Sequence, residues 1–154
     1  LGMEQDEIDR LANVYGSTTD RMISYNELFK KSVKDAATTF SNEFSTASVV
    51  MYTTASSAPN QILHRILASS ISSVDYIIIA TDVVGQNRQT TKLFASVLGT
   101  EVGYFEVGTI DVPLLGPGVG DFKVSYDTGN VVLTVSPVTS SLVNYKVMVT
   151  SYKA

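Results

Sequence analysis

His64 is the one histidine in the chain, and it stands between Leu63 and Arg65 in a run of alternating β-type residues. To act as a base it would need a nucleophile and an orienting acid brought to it. Triads of that kind occur in any chain order, but the Gly-x-Ser-x-Gly elbow that presents a serine nucleophile is missing from the sequence. His64 is therefore read as a hydrogen-bonded structural or surface residue. Asp75, Asp82, Glu101, Glu106, Asp111 and Asp121 are the candidates for the acid pair of a glycoside hydrolase. One member of such a pair needs a pKa raised by burial and a partner at fixed separation. These acids fall mostly at strand ends and turns, where hydration is the cheaper outcome. The run Leu115-Gly116-Pro117-Gly118-Val119-Gly120 is glycine-rich, but a phosphate cradle needs Gly-Lys-Ser/Thr opening into a helix. Here Asp121-Phe122-Lys123 leads into a strand, so the run is read as a flexible loop. Asp121 and Asp127 lack the spacing of a calcium-binding EF-hand loop. With no cysteine there is no disulfide and no thiolate metal site. No catalytic set, cofactor or metal site is expected.

Tyrosines are the more suggestive residues. Tyr52, Tyr76, Tyr104, Tyr126, Tyr145 and Tyr152 all fall in or beside β-type runs. Most are expected in the core or in cross-strand pairs. Tyr104 and Tyr126 are the two singled out as candidate glycan contacts, since an exposed aromatic ring can stack on a sugar or anchor an interface.

The elements that position these residues follow from the change of hydrophobic period along the chain. The chain has 154 residues, enough for one domain or one domain with an appendage. Charged residues make up 17%, against about 25% in soluble domains generally. Val, Ile, Ser, Thr and Tyr fill the gap and favour pleated strands. The net charge of −4 gives no electrostatic reason to expect nucleic acid, and no stretch approaches the ~18 apolar residues of a membrane span. The start at Leu1-Gly2-Met3 suggests a fragment of a longer protein or a vector-derived scar.

Residues 1–46 read as a helical docking segment. Ile8, Leu11, Ala12 and Tyr15 recur at helical spacing, and Gly16 stands where a glycine would end the helix. A second helix starts at a capping box, Ser24 with Glu27, stapled by Ile23 and Leu28. Its apolar stripe runs through Tyr25, Phe29, Val33, Ala36, Phe40 and Phe44, opposite Lys30, Lys31, Lys34 and Asp35. Such a stripe packs either on the chain's own sheet or on other subunits. Ile8, Leu11, Tyr15, Tyr25, Phe29, Val33, Phe40 and Phe44 are accordingly the candidate assembly interface.

Residues 47–154 read as short strands divided by turns. Strands are expected over Ser48–Thr54, Gln61–Leu67, Val74–Thr81, Thr90–Leu98 and Val102–Ile110, around Phe122–Tyr126 and Val131–Val135, and over Asn144–Tyr152. Leu98-Gly99-Thr100-Glu101 and Asp127-Thr128-Gly129-Asn130 are turns, the first closing a hairpin. In Gln61–Leu67, Ile62, His64 and Ile66 are expected on one face and Leu63, Arg65 and Leu67 on the other. Val74–Thr81, nearly all apolar, is expected to be a central strand covered on both faces. The fold class is mainly β, an antiparallel, jelly-roll-like sandwich preceded by an α-helical segment.

Several stretches resemble a C-terminal β-sandwich domain of virion structural proteins from tailed bacteriophages, including T4-like cyanophages. They are Asn60-Gln61-Ile62-Leu63, Ser73-Val74-Asp75-Tyr76-Ile77-Ile78, Arg88-Gln89-Thr90-Thr91-Lys92-Leu93, Gly103 to Ile110 and Gly129 to Pro137. The resemblance covers residues 58–154. It departs from that family at the Leu98-Gly99-Thr100 turn, where an Asp-Gly-Thr type is usual, and in the Gly- and Pro-rich loop from Pro113 to Gly120. It implies a virion component of a tail, baseplate, fibre or head appendage, including capsid decoration, and implies no enzymatic activity. The expected partners are copies of the chain, with a trimer the guess, and other virion proteins. A carbohydrate-binding module for host surface glycans is the alternative.

Overall fold

The computed structural model describes residues 39–154. Six of the eight candidate assembly residues, Ile8, Leu11, Tyr15, Tyr25, Phe29 and Val33, lie outside the described residues, as do both expected helices up to Thr38.

Nine strands follow in order: β1 (Thr39–Ser41), β2 (Ser45–Thr54), β3 (Gln61–Leu67), β4 (Ile71–Asp82), β5 (Asn87–Leu98), β6 (Glu101–Val112), β7 (Gly120–Asp127), β8 (Asn130–Pro137) and β9 (Val143–Lys153). A single 3₁₀ turn, Ala68–Ser70, separates β3 from β4. All pairings are antiparallel. They build a six-stranded sheet in the order β1-β2-β9-β4-β5-β6 and a three-stranded sheet in the order β3-β8-β7.

Two tight hairpins fix neighbours within the sheets. Gly99 and Thr100 alone join β5 to β6, with Gly99 at φ +62, as a two-residue hairpin with glycine first requires. Thr128 and Gly129, at φ +48 and +90, make the matching tight turn between β7 and β8. Connections this short join only neighbouring strands of one sheet. Segments around residues 55–60, 113–119 and 138–142, and the short 3₁₀ turn Ala68–Ser70, carry the chain from one sheet to the other. Because β4, β5 and β6 are joined by short turns, they stay together as a meander, and the strands divide six and three. That departs from the even division of a jelly roll.

Buried residues of both sheets form one cluster. Val74, Tyr76, Ile78 and Ala80 of β4, Leu93 and Ala95 of β5, and Tyr145, Val147 and Val149 of β9 meet Leu63, Val124, Val131, Leu133 and Val135 of the smaller sheet. The period of two along β9 and β8 is as expected, with Tyr145, Val147 and Val149, and Val131, Leu133 and Val135, all facing inward. Each fully buried Val or Leu contributes about 1.5–3 kcal/mol.

Three expectations are corrected. Phe40, assigned to a helical stripe, is in strand β1, where Phe40 pairs with Ala47. Phe44 lies just before β2, and both side chains are exposed. In β3 a bulge between Ile62 and His64 makes Leu63 the extra residue. The strict alternation therefore breaks: Leu63 is buried and Ile62 exposed. Finally, the outward row of β4 (Asp75, Ile77, Ile79) is only half-buried. Among the described residues no second layer lies on that side of the sheet.

Candidate interaction surface

The chemistry-bearing residues separate into internal struts and one open surface. His64 is a strut. Its Nδ1 lies 3.2 Å from the hydroxyl of Tyr76, with the rings edge to face at 5.6 Å between centroids. Burial lowers the His64 pKa and raises that of Tyr76, and the tautomer of His64 sets which of the two donates. The pair links β3 in one sheet to β4 in the other.

Gln89 is the second strut. Its buried Oε1 accepts the backbone N–H of Val119 at 2.6 Å and of Gly120 at 3.1 Å. Its Nε2 donates to the Gly120 carbonyl at 2.9 Å and to Thr91 Oγ1 at 3.2 Å. One amide thus saturates the backbone at the end of the glycine-rich loop and fixes the entry to β7. Sequence reasoning missed Gln89, and the only hint was a lone amide at an inward position of an alternating strand. The loop expected to be flexible is held at its far end, while Leu114 and Leu115 at its near end are exposed.

Of the carboxylates, Asp82 is buried at the end of β4, where its Oδ1 accepts the Gly85 N–H at 2.9 Å and shapes the β4–β5 turn. A Cβ added at Gly85 would meet Asp82 Oδ2, so a larger residue there would have to displace that carboxylate. Glu106, Asp111 and Asp121 come together along a cleft of about 230 Å³, with Gln89, Thr109 and Gly118. Among the described residues no group of three or more His, Asp or Glu is arranged to hold a metal. Glu101 and Asp75 lie elsewhere on the sheet.

The tyrosines divide as well. Tyr76 and Tyr145 are completely buried. Burial, with Tyr52 and Asp82 adding to it, pushes the Tyr145 hydroxyl up to about 12. Tyr104 is 41% exposed on β6. Tyr126 is half-buried and lines a groove of about 480 Å³ with Leu67, Ile71, Val97 and Leu98. Tyr104 is not part of that groove, so the two candidate glycan contacts do not form one row.

The open surface is the outward face of the six-stranded sheet. Strand register sets its side chains in rows. Met51, Lys146, Ile79, Thr90 and Ile110 form one row across β2, β9, β4, β5 and β6. Val49, Met148, Ile77, Lys92 and Gly108 form the next, then Ala47, Thr150, Asp75, Phe94 and Phe105. Met51 is 67% exposed, Ile110 65% and Phe105 59%. Phe94 and Phe105 pair across the strands with ring centroids 6.4 Å apart. The central charges, Asp75 and Lys92, face each other at 3.8 Å. Asp75 Oδ1 is shielded from solvent and has no hydrogen-bond donor among the described residues.

No family model matches the chain, and no curated protein matches it. Solved structures similar to it include two phage tailspikes. The Acinetobacter phage vB_ApiP_P1 tailspike protein shares 14% identity over 67% of this chain, with a TM-score of 0.40. The tailspike gp49 of Acinetobacter baumannii bacteriophage Fri1, a capsular polysaccharide depolymerase, shares 17% identity over 76% of this chain, with a TM-score of 0.37. The chain spans 22% and 20% of their lengths. Among the described residues no helix is long and apolar enough to cross a membrane.

Proposed function

We propose that this chain is a structural module of a tailed-bacteriophage virion, in a tail, baseplate, fibre or head appendage, and that it works by subunit assembly. Its two sheets are read as a sandwich whose partners are copies of itself, a trimer being the favoured symmetry, and neighbouring virion proteins. The observation that carries the assembly reading is the apolar outward face of the large sheet. Contiguous exposed apolar patches of this kind mark contact surfaces. The phage attribution rests on the sequence resemblance across residues 58–154. The module itself is proposed to have no catalytic role. Native mass and sedimentation of the full chain test the assembly reading: self-association is expected, and a monomer that persists at every concentration refutes it.

A second reading is favoured by Tyr104, an exposed ring on the same strand as Glu106 and Asp111. An aromatic face beside carboxylates and an amide suits a sugar. Glycan-array binding lost in Tyr104→Ala supports it, and an array with no binding removes it.

A further inference from the structure

The assembly reading leaves open which part of the module touches a second copy, and β6 answers that. We propose that β6 forms a head-to-tail contact between copies of this chain, its inner flank of Tyr104, Glu106 and Asp111 packing on the next copy's outward sheet face around Phe105. The inference rests on the assembly reading and adds to it a strand, a symmetry type and a pair of complementary surfaces.

The first observation is that β6 is largely open. Among the described residues it is the edge of the six-stranded sheet. Ten of its twelve residues are exposed, Val102 and Asp111 being half-buried. A long open edge with aromatic residues on both flanks, Tyr104 inward and Phe105 outward, is a template for association unless something blocks it. The only charges on this strand are acidic, Glu101, Glu106 and Asp111, with none of the lysines that commonly blunt edges.

The second observation is a pair of glycines that the isolated fold does not need. Gly103 and Gly108 lie on the outward face, either side of Phe105. Neither has a positive φ. A Cβ added at either would meet nothing within 4 Å. Gly108 follows the bulge that leaves Val107 unpaired, yet its backbone conformation is open to other residues. A strand-interior glycine costs about 0.5–1 kcal/mol relative to alanine. Glycine in a strand interior often marks a bulge or a close approach by another backbone or ligand, and no such approach to these two comes from within residues 39–154.

Charge then selects the occupant and the symmetry. The outward face carries Arg88, Lys92 and Lys146, with Asp75 the only acid among its central rows. The inner flank of β6 carries Glu106 and Asp111, and Asp121 joins them in the adjoining cleft. A contact of either surface with its own copy sets like charges together, which costs association. A contact of one surface with the other pairs acid with base, and both surfaces are present on every copy. Asp111 Oδ1 on the flank is shielded and has no donor among the described residues. A lysine or arginine on the neighbour's outward face supplies one. Buried acceptors left without a donor cost about 1–3 kcal/mol each. Head-to-tail contacts generate closed rings when the rotation closes and filaments when it does not, so a trimer is one such closure.

The test uses the full chain and native mass with sedimentation. Gly103→Val and Gly108→Val place a side chain in open space in the single copy but in the contact of the assembly. They are expected to leave the folded spectrum intact and weaken self-association at least about tenfold. The exposed charges provide the second arm. Glu106→Lys with Asp121→Lys reverses the flank, and Arg88→Glu with Lys146→Glu reverses the face. Each pair alone is expected to dissociate the assembly, and all four together to restore it. A wild-type oligomer that the glycine variants leave unchanged, or that the fourfold variant fails to restore, overturns the β6 contact while the assembly reading stands. A wild type that is monomeric throughout overturns the assembly reading itself.

Discussion

The two faces of the six-stranded sheet are made from nearly the same residues and have opposite fates. Along β4, Tyr76 and Ile78 point inward and are wholly buried, while Ile77 and Ile79, one residue away, point outward. Along β9, Val147 is core and Met148 is half-exposed. Along β5, Leu93 is buried and Phe94 is not. A sheet with one solvated face normally alternates apolar and polar residues. Here the outward face keeps its apolar residues without a covering layer among the described residues. That difference identifies the inward face as what holds the fold and the outward face as what the fold presents.

Substitutions sharpen the contrast in a graded way. The largest effect on stability is expected from Leu133→Ala, which opens a cavity between the sheets. It should lower unfolding free energy by about 2–5 kcal/mol, read from the urea midpoint. Gln89→Leu comes next. It strips the acceptor from the N–H groups of Val119 and Gly120, and an expected loss of about 2–4 kcal/mol should appear with faster amide exchange at those two residues. If Gln89→Leu left both the midpoint and the exchange unchanged, the loop would not depend on that amide.

How far these features are legible in the sequence varies with their range. The Gln61–Leu67 strand, the hairpin at Gly99 and the turn at Thr128-Gly129 coincide with the structure because turn chemistry and period act within a few residues. Gln89 was invisible because its partners are thirty and thirty-one positions away. The bulge at Leu63 was missed because a period of two carries no sign of an inserted residue. Phe40 was misplaced because its spacing from Tyr25, Phe29 and Val33 fits a helix, whereas pairing with Ala47 draws it into a strand.

A smaller effect separates the faces by pH. The folded His64 pKa is depressed below the ordinary 6.5 by burial. The unfolded chain therefore binds a proton at a higher pH than the folded chain does. Stability is present in full above the unfolded value and falls as pH drops through 6.5 toward the folded value, where the loss levels off. His64→Gln should flatten that part of the profile, and urea midpoints across the acid range read it out. An unchanged slope in His64→Gln would remove His64 as the titrating strut.

The smallest effect on the single copy is expected outside. Met51→Lys should change stability by no more than about 0.5 kcal/mol, with the same midpoint as wild type in dilute solution. A loss comparable to that of Leu133→Ala would break the comparison and make the outward face part of the core.

Composition, period and turn residues by themselves determined that residues from Ser48 onward are antiparallel strands, where the hairpins fall, and that no thiolate chemistry exists, since each of these is decided by neighbours along the chain. Only the tertiary structure decided that the strands divide six and three, that Gln89 and His64 tie the sheets together, and that one apolar face is enclosed and the other left open. Alternation assigns side chains to two faces but does not say which face the second sheet covers. That choice depends on contacts between residues far apart in the chain.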